Sequence, residues 1–117
     1  MSKPAVTPRQ KAVAAPDPLV ELIQRKSLLQ GGKFNLAAGG ATTFYFDMKR
    51  SMLDAEGARL IAERLLAALK GVKADFVGGM ELGAVPLIAT VVQGSAGTKH
   101  PLSGFIVRKA AKGHGTQ

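Results

Sequence analysis

Apolar residues near the start of the chain recur every three to four positions, a spacing typical of a helix that buries one face. Asp17 and Pro18 mark its start, because Asp accepts hydrogen bonds from the free N–H groups of a first turn and Pro presets φ there. Gly31 and Gly32 mark its predicted end, since glycine readily takes the left-handed conformation that stops a helix. The predicted apolar face consists of Leu19, Leu22, Ile23 and Leu29.

Two short strands are expected after this helix. Residues 33–36 and 44–48 flank a loop of glycine and small residues, 37–43, and should pair as a hairpin. Alternation along the second strand places Tyr45 on the face opposite its two phenylalanine neighbours. Tyr45 could therefore stack on a planar ligand, although packing within the hairpin is the more frequent role of an aromatic strand residue.

The second half of the chain has the pattern of one helix followed by a βαβ unit. A capping-box variant, Ser51 with Asp54, opens the first helix. Residues 75–78 and 104–109 are apolar strand candidates, and Pro86 opens the helix between them. Because strands of a βαβ unit are parallel, the loops that follow them emerge at one sheet edge, where ligands bind in open α/β folds. The first helix has the apolar stripe Ala58, Ile61, Ala62, Leu65, Leu66 and Leu69 and closes at Lys70 and Gly71, and the second reaches about Gln93.

The two converging loops differ in chemistry. Residues 78–84 are rich in glycine, whereas residues 109–115 are cationic, and no acidic residue follows Glu81. The chain as a whole has 16 Lys and Arg against 8 Asp and Glu, a net charge of +8. Guanidinium and ammonium groups suit a polyanion of phosphates, but a solvated basic turn is an equally open interpretation. The cationic candidates are Arg108, Lys109, Lys112 and His114.

Several function classes drop out on composition and spacing. The absence of cysteine excludes a disulfide framework, a thiolate metal site and a cysteine nucleophile. The glycine-rich segment lacks the lysine of a P-loop and the acidic residue of a dinucleotide fingerprint. No apolar run approaches the roughly 18 residues of a membrane span, so the protein is not expected to cross a membrane. The lack of cysteine is compatible with the expected cytoplasmic location. His114 is not expected to bind a metal, because no other histidine or carboxylate cluster lies near it in sequence. It is better suited to donating a proton to a departing phosphate, since an imidazole beside phosphate can be protonated near neutral pH.

Three blocks of the chain resemble, in order and spacing, the orotate phosphoribosyltransferase family. The match covers residues 17–117, and residues 1–16 are expected to form a flexible basic tail. The last block is the most specific. The blocks are Phe34-Asn35-Leu36-Ala37-Ala38-Gly39 with Thr42 and Tyr45-Phe46-Asp47, then residues 77–86 (VGGMELGAVP), then residues 105–116 (FIVRKAAKGHGT).

This resemblance implies a fold and a reaction. The fold is an α/β, partial type I phosphoribosyltransferase domain, a parallel sheet with flanking helices and a hood made of the N-terminal helix and hairpin. The reaction moves ribose 5-phosphate from phosphoribosyl pyrophosphate to orotate, giving orotidine 5′-monophosphate and pyrophosphate in pyrimidine synthesis, with Mg²⁺ assisting. The resemblance also implies roles for individual residues. The catalytic residues are Lys112 and His114, and the donor of the partner subunit in a homodimer is contacted by Arg108, Lys109, Lys112 and His114. Orotate lies beside Tyr45 and Phe46, and pyrophosphate lies near Glu81 and Leu82.

Two departures from the family pattern limit these expectations. Some members have Lys where this chain has Ala37, so one cation is missing or supplied from elsewhere. The donor-binding signature, an acidic strand end followed by a Thr-Thr-Gly-type loop, does not occur in the 117 residues, so no metal ligand is expected within the chain and little turnover from it alone. The alternatives that stay open are a non-catalytic phosphoribosyl-binding module and a small basic nucleic-acid-binding protein.

Overall fold

A computed structural model describes residues 15–110 and 113–115, which form two small sheets with their helices. The hood consists of helix α1 (Pro18–Lys26) and an antiparallel hairpin of β1 (Leu28–Asn35) and β2 (Ala41–Phe46). The body consists of α2 (Lys49–Met52), α3 (Ala55–Ala68), β3 (Phe76–Met80), α4 (Glu81–Ser95) and β4 (Ser103–Val107). Strands β3 and β4 are parallel, so the predicted hairpin and βαβ unit are both confirmed.

The predicted end of the first helix is wrong. Asp17 caps α1 as expected, accepting from the N–H of Leu19 at 2.9 Å, but the helix ends at Lys26. The carbonyl of Ser27 then accepts from the N–H of Asp47 at 2.9 Å, which commits the chain to the hairpin. Gly31 and Gly32 therefore lie inside β1, where the register with β2 shifts and Gly31 has φ 84°. The glycines mark a strand irregularity instead of a helix end.

A buried pair of hydroxyl groups joins the hood to the body. The Oγ atoms of Ser27 and Ser51 are 2.5 Å apart, and both residues are fully buried. A buried hydroxyl without a partner is costly, so the pair favours one arrangement of α1 relative to α2. The predicted capping role of Ser51 is therefore wrong, because its hydroxyl is used in this contact and the residue belongs to α2. Asp54 alone caps α3, accepting from the N–H of Gly57 at 2.9 Å.

The core lies between the helices and on one face of the β3–β4 sheet. The predicted stripe of α3 is only partly buried: Ile61 is in the core, but Leu65 is 37% exposed because helices α1, α2 and α4 cover one side of α3 only. Within the described residues, no helix is long and apolar enough to cross a membrane. The buried apolar side chains are Leu22, Met52, Leu60, Ile61, Ile88 and Val91.

The predicted glycine-rich loop and the predicted start of α4 are also wrong. Strand β3 runs to Met80 and α4 begins at Glu81, so no loop separates them. Pro86 lies in the second turn of α4, where it deprives the carbonyl of Leu82 of a helical partner. Leu82 is 81% exposed, so water can take that place. Gly79 serves close packing, since a Cβ there would be 2.6 Å from the Cβ of Ala84.

Gly57→Ala should destabilise the protein even though alanine favours a helix. An added Cβ would collide with the carbonyl oxygen of Ser51 and approach Leu22 to 3.2 Å, and we expect a loss of about 1–3 kcal/mol in the free energy of unfolding. Gly83→Ala in α4 is the matched control, because nothing lies within 4 Å of its added Cβ. It should be neutral or stabilising by up to about 1 kcal/mol. Equal stability of the two variants in urea would contradict this packing.

Acid should weaken the protein through Asp54. The hydrogen bond from the Nζ of Lys26, 2.6 Å from Oδ1, and that from the N–H of Gly57 lower the pKa of the Asp54 carboxyl. A carboxyl whose pKa is lower in the folded protein than in the unfolded chain stabilises the fold at pH values above its ordinary pKa of about 4. This stabilisation is lost as the pH falls through the folded-state pKa. The Tm difference between wild type and Asp54→Asn should therefore be constant above about pH 5 and shrink towards pH 3. A difference that does not change with pH would refute the role of Asp54.

Candidate functional site

The sheet edge at which β3 and β4 end is built around an unusual backbone conformation. Glu81 follows β3 directly and has φ 63°, the one positive φ of a non-glycine residue in the described part of the chain. Left-handed backbone is costly for a residue with a side chain and is concentrated at functional sites. The β3–α4 junction is therefore a candidate site on geometry alone.

The segment that follows β4 meets this junction. The carboxylate Oε1 of Glu81 accepts a hydrogen bond from the backbone N–H of Lys109, 28 residues further along the chain. The prediction that the segments after the two parallel strands converge is confirmed by this contact. The Glu81 carboxylate therefore has a backbone donor as partner.

Two of the predicted cations, Arg108 and Lys109, are at this edge. Arg108 and Lys109 follow β4 immediately and are exposed, and His114 is exposed as well. Lys112 lies outside the described residues. Across residues 15–110 and 113–115, no carboxylate forms an ion pair with the side chain of Arg108 or Lys109. Their charge is therefore available to an anionic ligand, and their contacts with one stay predictions.

The hood forms a second candidate surface. The rings of Phe34 and Tyr45 stack with centroids 6.0 Å apart and an interplanar angle of 28°. Phe44 and Phe46 make an edge contact with each other at 6.2 Å on the other face of β2. The predicted alternation along β2 is thus confirmed. A cleft of about 490 Å³ is lined by Lys33, Phe34, Asn35, Leu36, Ala37 and Tyr45.

The structure separates the two predicted orotate residues and adds one that sequence reasoning did not single out. Tyr45 lines the hood cleft, whereas Phe46 is not among its lining residues. Lys33 shares the cleft with Ala37, the position at which some family members have Lys. A cation is therefore present on this wall from a neighbouring position of β1. The signal in the sequence was its place next to the Phe34–Gly39 block.

The hood and the cationic edge do not meet within one chain. Among the described elements, the β1–β2 hairpin packs against α1 and makes no contact with β3, α4 or β4. Tyr45 and the cations after β4 are therefore on separate parts of the molecule, and the hood cleft is held by the hairpin alone. Among the described elements, no packing contact brings the hood cleft to the cationic edge.

The described residues do not fit a magnesium site of their own. No three His, Asp or Glu side chains cluster anywhere in that part of the chain. Mg²⁺ is usually held by one or two carboxylates together with substrate phosphates. Glu81 is at the sheet edge, but its carboxylate is already bonded to the N–H of Lys109. No step of the reaction is therefore assigned to a metal held by these residues.

Curated proteins similar to this chain are orotate phosphoribosyltransferases. The one from Bradyrhizobium diazoefficiens is 46% identical over 99 residues, which cover 85% of this chain and 52% of that protein. The one from Rhodopirellula baltica is 40% identical over 104 residues, which cover 84% and 53%. No family model matches the chain. The chain thus spans about half the length of the curated relatives that it matches.

Solved structures give the same result for the fold. The orotate phosphoribosyltransferase of Mycobacterium tuberculosis superposes with a TM-score of 0.65 at 31% identity, covering 83% of this chain and 53% of that one. A phosphoribosyltransferase from Corynebacterium diphtheriae superposes with a TM-score of 0.66 at 30% identity, covering 84% and 52%. The same mycobacterial enzyme has been solved with 5-phospho-α-D-ribosyl 1-diphosphate. In its sequence and its α/β phosphoribosyltransferase fold, this chain is homologous to about half of an orotate phosphoribosyltransferase.

Proposed function

We propose that this chain contributes half of an enzyme that transfers ribose 5-phosphate from phosphoribosyl pyrophosphate to orotate. The bond between the anomeric carbon and the pyrophosphate oxygen breaks, and a bond to an orotate nitrogen forms as that nitrogen gives up its proton. Orotidine 5′-monophosphate and pyrophosphate are released. The names of the relatives support the reaction, and the donor complex of a mycobacterial neighbour supports the donor. The pathway is pyrimidine synthesis.

The observation that carries this proposal is the convergence at the sheet edge. Glu81 at the start of α4 and Lys109 after β4 are in contact, so the cationic segment starts at the place where an open α/β sheet binds its ligand. An oxocarbenium-like transition state builds negative charge on the departing pyrophosphate. Arg108, Lys109 and Lys112 would stabilise that charge, and His114 would donate a proton to the leaving group.

The remaining parts of the proposal concern acceptor, assembly and metal. Tyr45 would lie against orotate in the hood cleft, with Lys33 as the nearby cation and Phe34 as the second aromatic residue. Because hood and cationic edge are separate in one chain, we propose a homodimer in which the loop of one subunit reaches the donor of the other. We also propose a cytoplasmic location and a requirement for Mg²⁺ carried on the donor phosphates.

A chimera tests the proposed reaction. The 117-residue polypeptide alone should show weak or no turnover, because it contains no acidic strand end with a Thr-Thr-Gly-type loop to hold the ribose phosphate. Joining it to the C-terminal half of the Bradyrhizobium relative should give a protein that consumes orotate and phosphoribosyl pyrophosphate. A folded chimera without orotate turnover, or rates typical of the family from the 117 residues alone, would contradict the proposal.

Within an active chimera, Lys112→Ala and His114→Ala should reduce kcat roughly 100-fold or more, since charge stabilisation and proton donation act on the leaving group. The KM for orotate should stay within about threefold, because neither residue binds the acceptor. Lys99→Ala is the matched control, an exposed cation in the turn before β4 that should leave both constants unchanged. Unchanged kcat in both loop variants would remove the cationic segment from the mechanism.

A further inference from the structure

Glu81 combines three features that its neighbours do not share. It has left-handed backbone, it is the first residue of α4, and its carboxylate bonds to a residue beyond the next strand. Glycine occurs at three of the positions around it, Gly78, Gly79 and Gly83, yet the one position with φ 63° carries a long acidic side chain. A position that only needed this backbone would be served best by glycine. The side chain is therefore the feature to be explained.

The bond to Lys109 takes the place of a missing strand pair. The parallel ladder of β3 and β4 ends at the pair Met80 and Val107, so the N–H of Lys109 lies past the last pair of the ladder. The chain on the β3 side has turned into α4, and the Glu81 carboxylate reaches back to accept from that N–H. The side chain thus fixes the backbone at the point where the cationic segment leaves the sheet.

The helix macrodipole does not account for this arrangement by itself. A carboxylate in the first turn of a helix is favourable wherever it points. Glu21 is likewise in the first turn of a helix, as the fourth residue of α1, and there it lies exposed. What distinguishes Glu81 is the combination of the bond to the Lys109 N–H with the left-handed backbone that aims the side chain.

We propose that Glu81 is a positioning residue that holds Lys109, at the root of the cationic loop, in one direction from the sheet edge. This role rests on the proposed function, in which the loop grips the departing pyrophosphate. When the backbone of Lys109 is already fixed, the cations lose less conformational freedom on binding the anion, so the entropy cost of binding is smaller. The left-handed backbone is the conformation that points the Glu81 carboxylate towards Lys109.

Amide hydrogen exchange of the 117-residue protein, followed by NMR, tests the tether directly. Glu81→Ala and Glu81→Gly should exchange the Lys109 amide roughly tenfold faster than wild type, while Glu81→Gln, which keeps an acceptor oxygen, should retain most of the protection. Amides of β4 should be unaffected. Glu81→Gly should also keep or raise the Tm, because glycine adopts φ 63° without strain. Glu21→Ala is the matched control and should leave the Lys109 amide unchanged.

Titration of the same proteins with inorganic pyrophosphate separates the tether from the proposed function. Glu81→Ala should weaken pyrophosphate binding several-fold and Glu81→Gln should restore most of it, although removal of an acidic side chain alone would strengthen anion binding. Unchanged exchange of Lys109 in Glu81→Ala, or stronger pyrophosphate binding by that variant, would overturn the positioning role. A Lys109 amide released by Glu81→Ala in a chain that binds no pyrophosphate would support the tether and count against the proposed function.

Discussion

The close approach of α4 to the β3–β4 sheet is the constraint on which the rest of the site depends. A Cβ on Gly79 would be 2.6 Å from the Cβ of Ala84, and one on Gly104 would be 2.6 Å from a methyl group of Ile88. Both contacts are shorter than real Cβ atoms allow, so side chains there would push the helix away from both strands. Glycine at these two positions therefore keeps α4 close to both strands. That short separation is what allows the carboxylate of Glu81 to reach the backbone after β4.

The face of the sheet away from α4 explains why the proposal needs more chain than a single copy provides. Phe76, Met80 and Phe105 are 64%, 59% and 51% exposed, which is unusual for apolar residues on a central sheet. Among the residues that the structure describes, no further strand pairs with either edge of this two-stranded sheet. Relatives of this family contain about as much chain again. In the proposed enzyme, such additional chain or a second subunit would have to cover these surfaces.

Local patterns predict much of the fold because they depend on neighbours in the sequence. The cap at Asp17 and the hairpin follow from such signals, and so does the parallel unit. The errors arise where tertiary contacts override the local signal. Gly31 looks like a helix end but fits a strand irregularity, because the hydrogen bond between Ser27 and Asp47 has already started the hairpin.

The candidate site shows the same division between local and tertiary information. The charges of Arg108 and Lys109 can be read directly, since no acidic residue is near them in the sequence. The hydrogen bond between Glu81 and the N–H of Lys109 cannot be predicted in this way, because the two residues are 28 positions apart. The contact requires both the parallel register of β3 and β4 and a left-handed φ at Glu81. Prediction from sequence assigns a positive φ to glycine, so it does not identify a glutamate that adopts this conformation. A rule broken at one position, where the exception creates a specific hydrogen bond, is a stronger indication of function than any of the motifs that obey the rules.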